Sequence, residues 1–225
     1  MAELCLLFDS DGTLVDSEIL LAEAMVATLP EYGLPFTTTQ YLDHYRGMRF
    51  RSIVRELEAV HGEMERVRLE EMEARMRAML EDLMRSRLTA MPGMPEALMA
   101  LSGYPCGVVS NGPERKVRLA LDSTRLARFF DGKIFSAYTL GVWKPDPRIY
   151  RLAAEKMGYS PAHCIVIDDA TVGVRAGLDA GMHVIHFTHH DDGFDTPSGA
   201  LRMRHPQELP GLVAQISQRI VHRGH

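Results

Sequence analysis

Apolar residues along this chain fall into two rhythms. Short, nearly continuous apolar runs at 4–8, 106–109, 133–135, 164–167 and 184–187 are bounded by turn or polar residues. Such runs predict strands covered on both faces. They alternate with stretches of helical period, so the pattern predicts βαβ units around a parallel sheet, an α/β fold of Rossmann-like type. Residues 17–88 break the alternation. They hold no convincing strand, and Met72, Met76, Met79, Leu80, Leu83 and Met84 recur at threes and fours, which predicts one apolar face of a long helix within 64–88. The other positions there are mostly Glu and Arg, a solvated face. Residues 37–40 carry a capping-box start. The expected organisation is a core of residues 1–16 and 89–225 with a helical module, 17–88, inserted after the first strand. Pro92-Gly93 marks the return to the core.

Later helices are punctuated. Pro113 after Asn111-Gly112 and Pro147 after Asp146 predict helix starts, Gly158 and Gly181 predict stops, and 206–221 reads as a last amphipathic helix. At 225 residues the chain can bury roughly 70% of its unfolded surface and needs no disulfide or structural metal to fold. Its formal charge of −5 argues against nucleic acid as a partner. No apolar run approaches the ~18 residues of a membrane span, and the start lacks the basic region of a signal peptide. Three cysteines without CxxC spacing make neither a disulfide framework nor a zinc site. Each sits in or beside an apolar run and is expected to be a buried thiol in a reducing, cytoplasmic compartment.

Chemistry gathers at the ends of the expected strands. The first runs straight into Asp9 and Asp11, two residues apart. In an extended chain i and i+2 share a side, so both carboxylates can face one site, and Gly12 permits a sharp turn afterwards. The carboxyl ends of parallel strands are where α/β proteins bind ligands. Paired carboxylates need a cation such as Mg2+ between them or a proton on one of them. The fourth run ends in Asp168-Asp169, and with four acids a divalent cation resolves the excess charge. The second ends in Ser110-Asn111-Gly112, hydrogen-bond donors for an anion at a helix start. Lys144, just before Pro145 and Pro147, is a positioned cation. Taken singly, each is also an ordinary helix cap, turn or surface lysine. In this order they describe phosphoryl chemistry.

The segments Asp9-Ser10-Asp11-Gly12-Thr13-Leu14, Ser110-Asn111-Gly112, Lys144-Pro145-Asp146-Pro147 and Ile167-Asp168-Asp169-Ala170 resemble the four motifs of the haloacid dehalogenase superfamily, and the resemblance covers nearly the whole chain. The inserted module resembles the helical cap of subfamily I. Val15–Glu18, Val108–Pro113 and Trp143–Pro147 look most like bacterial sugar-phosphate phosphatases of the 6-phosphogluconate phosphatase type. The resemblance implies a Mg2+-dependent phosphatase acting on a small phosphate ester. Asp9 would be the nucleophile that forms an aspartyl-phosphate. Asp11 would protonate the leaving alkoxide and then deprotonate water. Asp9, the backbone oxygen of Asp11 and Asp169 would hold Mg2+, with Asp168 close by. Ser110, helped by Asn111, would bond a phosphoryl oxygen, and Lys144 would neutralise charge around it.

Dehalogenases of the superfamily lack the second acid, present here as Asp11. Phosphohexomutases of subfamily I carry a histidine ten residues beyond it, where this chain has Leu21. A phospho-accepting receiver domain also places acids, a hydroxyl and a lysine at strand ends, but lacks a module of ~70 residues after its first strand, and such a module suits a closing lid. Arg46, Arg49 and Arg51 cluster around Gly47. They are either a solvated helix connection or a substrate loop, with Arg46 and Arg49 binding carboxylate or phosphate oxygens. His183, His186, His189 and His190 form no convincing second metal site.

Overall fold

A computed structural model describes residues 4–45, 48, 50–189 and 195–223, the side chains of 221–223 excepted. In chain order the elements are β1 (Cys5–Phe8), α1 (Glu18–Thr28), α2 (Thr38–Gln40), α3 (Phe50–His61), α4 (Arg66–Arg87), α5 (Met94–Ala100), β2 (Cys106–Ser110), α6 (Glu114–Ser123), β3 (Ile134–Ser136), α7 (Ala137–Leu140), α8 (Arg148–Met157), β4 (Cys164–Asp168), α9 (Thr171–Asp179), β5 (His183–Phe187), β6 (Leu201–Met203) and α10 (Leu209–Arg223). The chain divides into two compact units, residues 1–16 with 89–225, and residues 17–88.

The first unit is built on one six-stranded sheet in the order β3-β2-β1-β4-β5-β6, every adjacent pair parallel. This is the expected α/β, Rossmann-like architecture. Every residue of β1, β2 and β4 is buried, as central strands covered on both faces must be, and their continuous apolar runs follow from that. One core cluster joins Cys5, Leu7, Val109, Cys164 and Val166 of the sheet to Ile149, Tyr150, Ala153 and Ala154 of α8. All three cysteines are free and buried. β6 is a strand the apolar pattern does not predict. It is three residues long, and it takes its place by pairing with β5. The chain leaves and re-enters this unit through a short crossing in which Val15 bridges Ala90 and the Asp16 N–H donates to the Thr89 carbonyl at 3.0 Å.

In the second unit every assigned element among the described residues is helical. Met72, Met76, Leu80 and Met84 of α4 are buried at a spacing of four, while Met79 of the expected stripe is 40% exposed. Thr37 and Gln40 close the capping box reciprocally at the start of α2. Buried Glu73 accepts from the Nε of Arg51 at 2.8 Å and from Arg77. Among the described residues no helix is long and apolar enough to cross a membrane.

Candidate active site

The carboxyl end of β1 delivers Asp9, whose N–H still donates to the Ile167 carbonyl at 2.8 Å, so the strand pairing with β4 continues up to that residue. β4 ends on Asp168, which is fully buried. Between the two carboxylates stands Lys144, 4% exposed. Its ammonium donates to Asp9 Oδ1 at 2.5 Å and to Asp168 Oδ2 at 2.7 Å. Asp168 Oδ2 also accepts from the Tyr150 hydroxyl at 2.7 Å, and Asp168 Oδ1 accepts from the Ala170 N–H at 3.0 Å. The Tyr150 ring lies under the ammonium, 5.3 Å from Nζ to centroid. Burial pushes the Asp9 carboxyl up to about 7. The Lys144 ammonium pulls it back and Asp168 adds to the rise. Burial works against the Lys144 charge, but Asp168 and Asp9 outweigh it and hold its pKa well above the usual value. Burial and then the Asp168 charge raise Tyr150, which keeps its hydroxyl a donor.

Asp169 completes a cluster. Ligand oxygens of Asp9, Asp168 and Asp169 lie within 4.8 Å of one another. The Thr13 hydroxyl donates to Asp169 Oδ1 at 2.7 Å and accepts from the Asp169 N–H at 3.0 Å. The carbonyl of Asp169 lies 3.1 Å from His186 Nε2, and Thr196 Oγ1 lies 3.1 Å from His186 Nδ1. A carbonyl only accepts, so Nε2 carries the hydrogen. In the neutral ring the Thr196 hydroxyl then donates to Nδ1. Two glycines allow the close approach. Gly12 adopts φ +78°, and a Cβ there would lie 2.3 Å from Asp169 Oδ2. A Cβ on Gly173 would lie 1.8 Å from Asp168 Oδ2.

On the other side of β1, β2 ends on buried Ser110, whose Oγ accepts from the Gly112 N–H at 3.0 Å and so keeps its own hydrogen for a ligand. Asn111 also meets the Lys144 backbone. Its Oδ1 accepts from the Lys144 N–H at 2.8 Å and its Nδ2 donates to the Lys144 carbonyl at 3.3 Å. The amide is therefore turned to holding the Lys144 backbone, with one hydrogen left for a ligand. Asp11 stands apart from the Asp9, Asp168 and Asp169 cluster. Both its oxygens accept from the ammonium of Lys116 on α6, at 2.9 and 2.8 Å.

The structure thus brings Asp9, Asp168, Asp169 and Lys144 into direct contact or near it, with Ser110 at the end of the neighbouring β2 and Asp11 just past the end of β1. Arg46, Arg49 and His190 lie outside the described residues. Arg51 faces Glu73, and His186 is engaged with Thr196 and the Asp169 carbonyl. Thr13, Lys116 and Tyr150 carry no expectation from the sequence, and His186 is weighed there only as a metal ligand; Thr13 and His186 lie inside runs already singled out, Lys116 and Tyr150 do not.

Haloacid dehalogenase-like hydrolases match residues 6–187 of the chain. This chain belongs to that family. It is 35% identical to a 6-phosphogluconate phosphatase of Escherichia coli over 80% of each chain. It is 28% identical to a phosphorylated carbohydrates phosphatase of Thermotoga maritima over 93% of this chain and 98% of that one. A solved hydrolase of the same family from Deinococcus radiodurans, with bound phosphate and sodium, superposes with a TM-score of 0.73 at 29% identity, over 96% and 97% of the two chains. Family and relatives together make this haloacid dehalogenase-like chain a phosphatase. Hydrolases of this kind generally use a divalent metal, and the three-carboxylate cluster supplies oxygen ligands for one.

Proposed function

We propose that the chain is a Mg2+-dependent phosphatase of a small phosphorylated sugar or sugar acid, working through an aspartyl-phosphate on Asp9. The observation that carries this reading is the buried Lys144 ammonium shared by Asp9 and Asp168, with Asp169 at the same place. Three carboxylates, Asp9, Asp168 and Asp169, gather against the single Lys144 ammonium that Asp9 and Asp168 share. The two excess negative charges and an all-oxygen donor set fit one hard divalent cation. Asp9, Asp169 and the backbone oxygen of Asp11 would hold Mg2+, with Asp168 beside them. When bound it supplies positive charge to the phosphoryl oxygens.

Asp9 attacks phosphorus with a carboxylate oxygen, and the P–O bond to the sugar breaks. Asp11 gives its proton to the departing alkoxide. The carboxylate so formed then takes a proton from water as the water oxygen attacks phosphorus, releasing Asp9 and inorganic phosphate. Lys144 orients Asp9 and offsets charge on the transferring group, and Ser110 donates to a phosphoryl oxygen. The unit of residues 17–88 is assigned as the cap. Arg46 and Arg49 on it would read a second anionic group, which favours a phosphosugar acid such as 6-phosphogluconate, the substrate in the name of the Escherichia coli relative.

Phosphate release from 6-phosphogluconate, glucose 6-phosphate and p-nitrophenyl phosphate, each in EDTA and in Mg2+, tests the reading. Release in Mg2+ that EDTA abolishes, with 6-phosphogluconate preferred over glucose 6-phosphate, is expected. Asp9→Asn should abolish it. Retention of a tenth of wild-type turnover by a folded Asp9→Asn protein would remove Asp9 as the nucleophile.

A further inference from the structure

We infer that Lys116 is a positioning residue for Asp11, orienting the carboxyl group that serves as acid and then as base. This rests on the role given to Asp11 above. The geometry divides the two lysines between different carboxylates. Lys144 serves Asp9 and Asp168. Lys116 meets both oxygens of Asp11, at 2.9 and 2.8 Å, from the first turn of α6. The pair is partly sheltered, with side chains 21% and 26% exposed, so the contact is less screened than an ordinary surface ion pair. Asp11 lies beyond the end of β1, where its backbone bridges to Val15, and Lys116 grips its side chain through both oxygens.

The position of Lys116 also suits the chemistry. A Cβ on Gly112 would lie 3.3 Å from Ser110 Oγ, 3.8 Å from Lys116 Cδ and 3.9 Å from Asp11 Oδ2. The lysine stem, the phosphoryl-binding hydroxyl and the acid–base carboxyl therefore converge on one glycine. The same ammonium can orient Asp11 in both of its states. As a carboxylate, Asp11 accepts two N–H donors. As a carboxylic acid it keeps one oxygen as acceptor for Nζ, which leaves the O–H directed elsewhere, toward the leaving oxygen. Lys116 touches no reacting atom in this scheme and acts through Asp11 alone.

The test compares substrates that need the acid with one that does not. p-Nitrophenolate leaves without help, whereas the alkoxides of 6-phosphogluconate and glucose 6-phosphate need a proton. The ratio kcat/KM identifies the step, because it covers events only up to loss of the leaving group. Lys116→Met, and Lys116→Gln as a second variant, should lower the ratio of alkyl-ester to p-nitrophenyl kcat/KM by about ten- to a hundredfold, as misplacement of a reacting group does. Lys116→Arg should recover part of that ratio. Circular dichroism checks the fold of each. Equal losses on all three esters would overturn the proposal and make Lys116 a phosphoryl contact. No loss would overturn it too, as the pair would then be idle. Asp11→Asn is the control for the underlying reading. If its losses are equal on both ester classes, the acid role of Asp11 fails whatever Lys116 does.

Discussion

Replacing Lys144 by Met keeps an unbranched stem and deletes an ammonium that two buried carboxylates share. In the metal-free protein, Lys144→Met leaves Asp9 Oδ1 without that donor and leaves Asp168 Oδ2 with Tyr150 alone. Breaking a buried ion pair by removing one partner costs about 3–5 kcal/mol, mostly because the other charge stays buried and uncompensated. At roughly 2–4 °C per kcal/mol for a chain of this length, Tm should fall by about 6–20 °C in EDTA. The same carboxylates are then freer to hold a cation, so millimolar Mg2+ should restore part of the loss by mass action. A second change refines the account. Asp168→Asn removes one of the two charges that Lys144 compensates, so the double variant should be less destabilised than the sum of the singles. Thermal melts followed by circular dichroism, in EDTA and in Mg2+, measure all of this. A fall of less than about 2 °C for Lys144→Met in EDTA, or strict additivity with Asp168→Asn, would refute the claim that this ion pair organises the site.

Three further outcomes follow from the same contacts. Gly173→Ala, a change that ordinarily stabilises a helix by up to about 1 kcal/mol, should here lower Tm and activity, because the new methyl would sit 1.8 Å from an Asp168 oxygen that Lys144 and Tyr150 already hold; a rise in Tm would sink this. His186→Leu should weaken Mg2+ binding by about ten- to a hundredfold, as loss of a group supporting a metal ligand does, when read by calorimetric titration of the apo protein; His186→Gln, which keeps a donor for the Asp169 carbonyl, should recover part of it. Tyr150→Phe removes a hydrogen bond to a buried carboxylate and should cost about 1.5–3 kcal/mol in urea unfolding, with a loss below about 0.5 kcal/mol counting against that hydrogen bond.

What the sequence discloses and what it hides separate along a physical line. The five predicted strands are read from continuous apolar runs because a central strand of a covered parallel sheet must be apolar on both faces, whatever its neighbours are. β6 breaks that rule. It is short, at the sheet edge, and carries exposed Arg202, so only its pairing with β5 defines it. The helix of residues 66–87 is legible from its methionines, but the spacing alone ranks Met79 with Met76 and Leu80, and only packing separates the exposed one from the buried two.

The acids were legible for a different reason than the lysine and histidine that serve them. A carboxylate at the end of an apolar run is conspicuous, because nothing apolar explains it and the end of a parallel strand is where ligands sit. Lys116 lies among Arg115 and Arg118 in the first turns of a surface helix, where a basic residue is the common solvated choice. Its partner is 105 positions away, and only the parallel pairing of β1 with β2 brings that helix start beside Asp11. His186 is hidden in the same way, as one residue of an apolar strand whose partner carbonyl is 17 positions back along the chain. Lys144 was found because two prolines mark its loop, yet the sequence gives no sign that Asn111 holds that loop by the main chain. Groups that meet a ligand thus announce themselves by breaking the local pattern. Groups that orient them fit the local pattern and become visible only when the sheet order is known. For this reason Lys116, His186 and Tyr150, more than the motif acids, are the positions where the structure adds chemistry to the sequence.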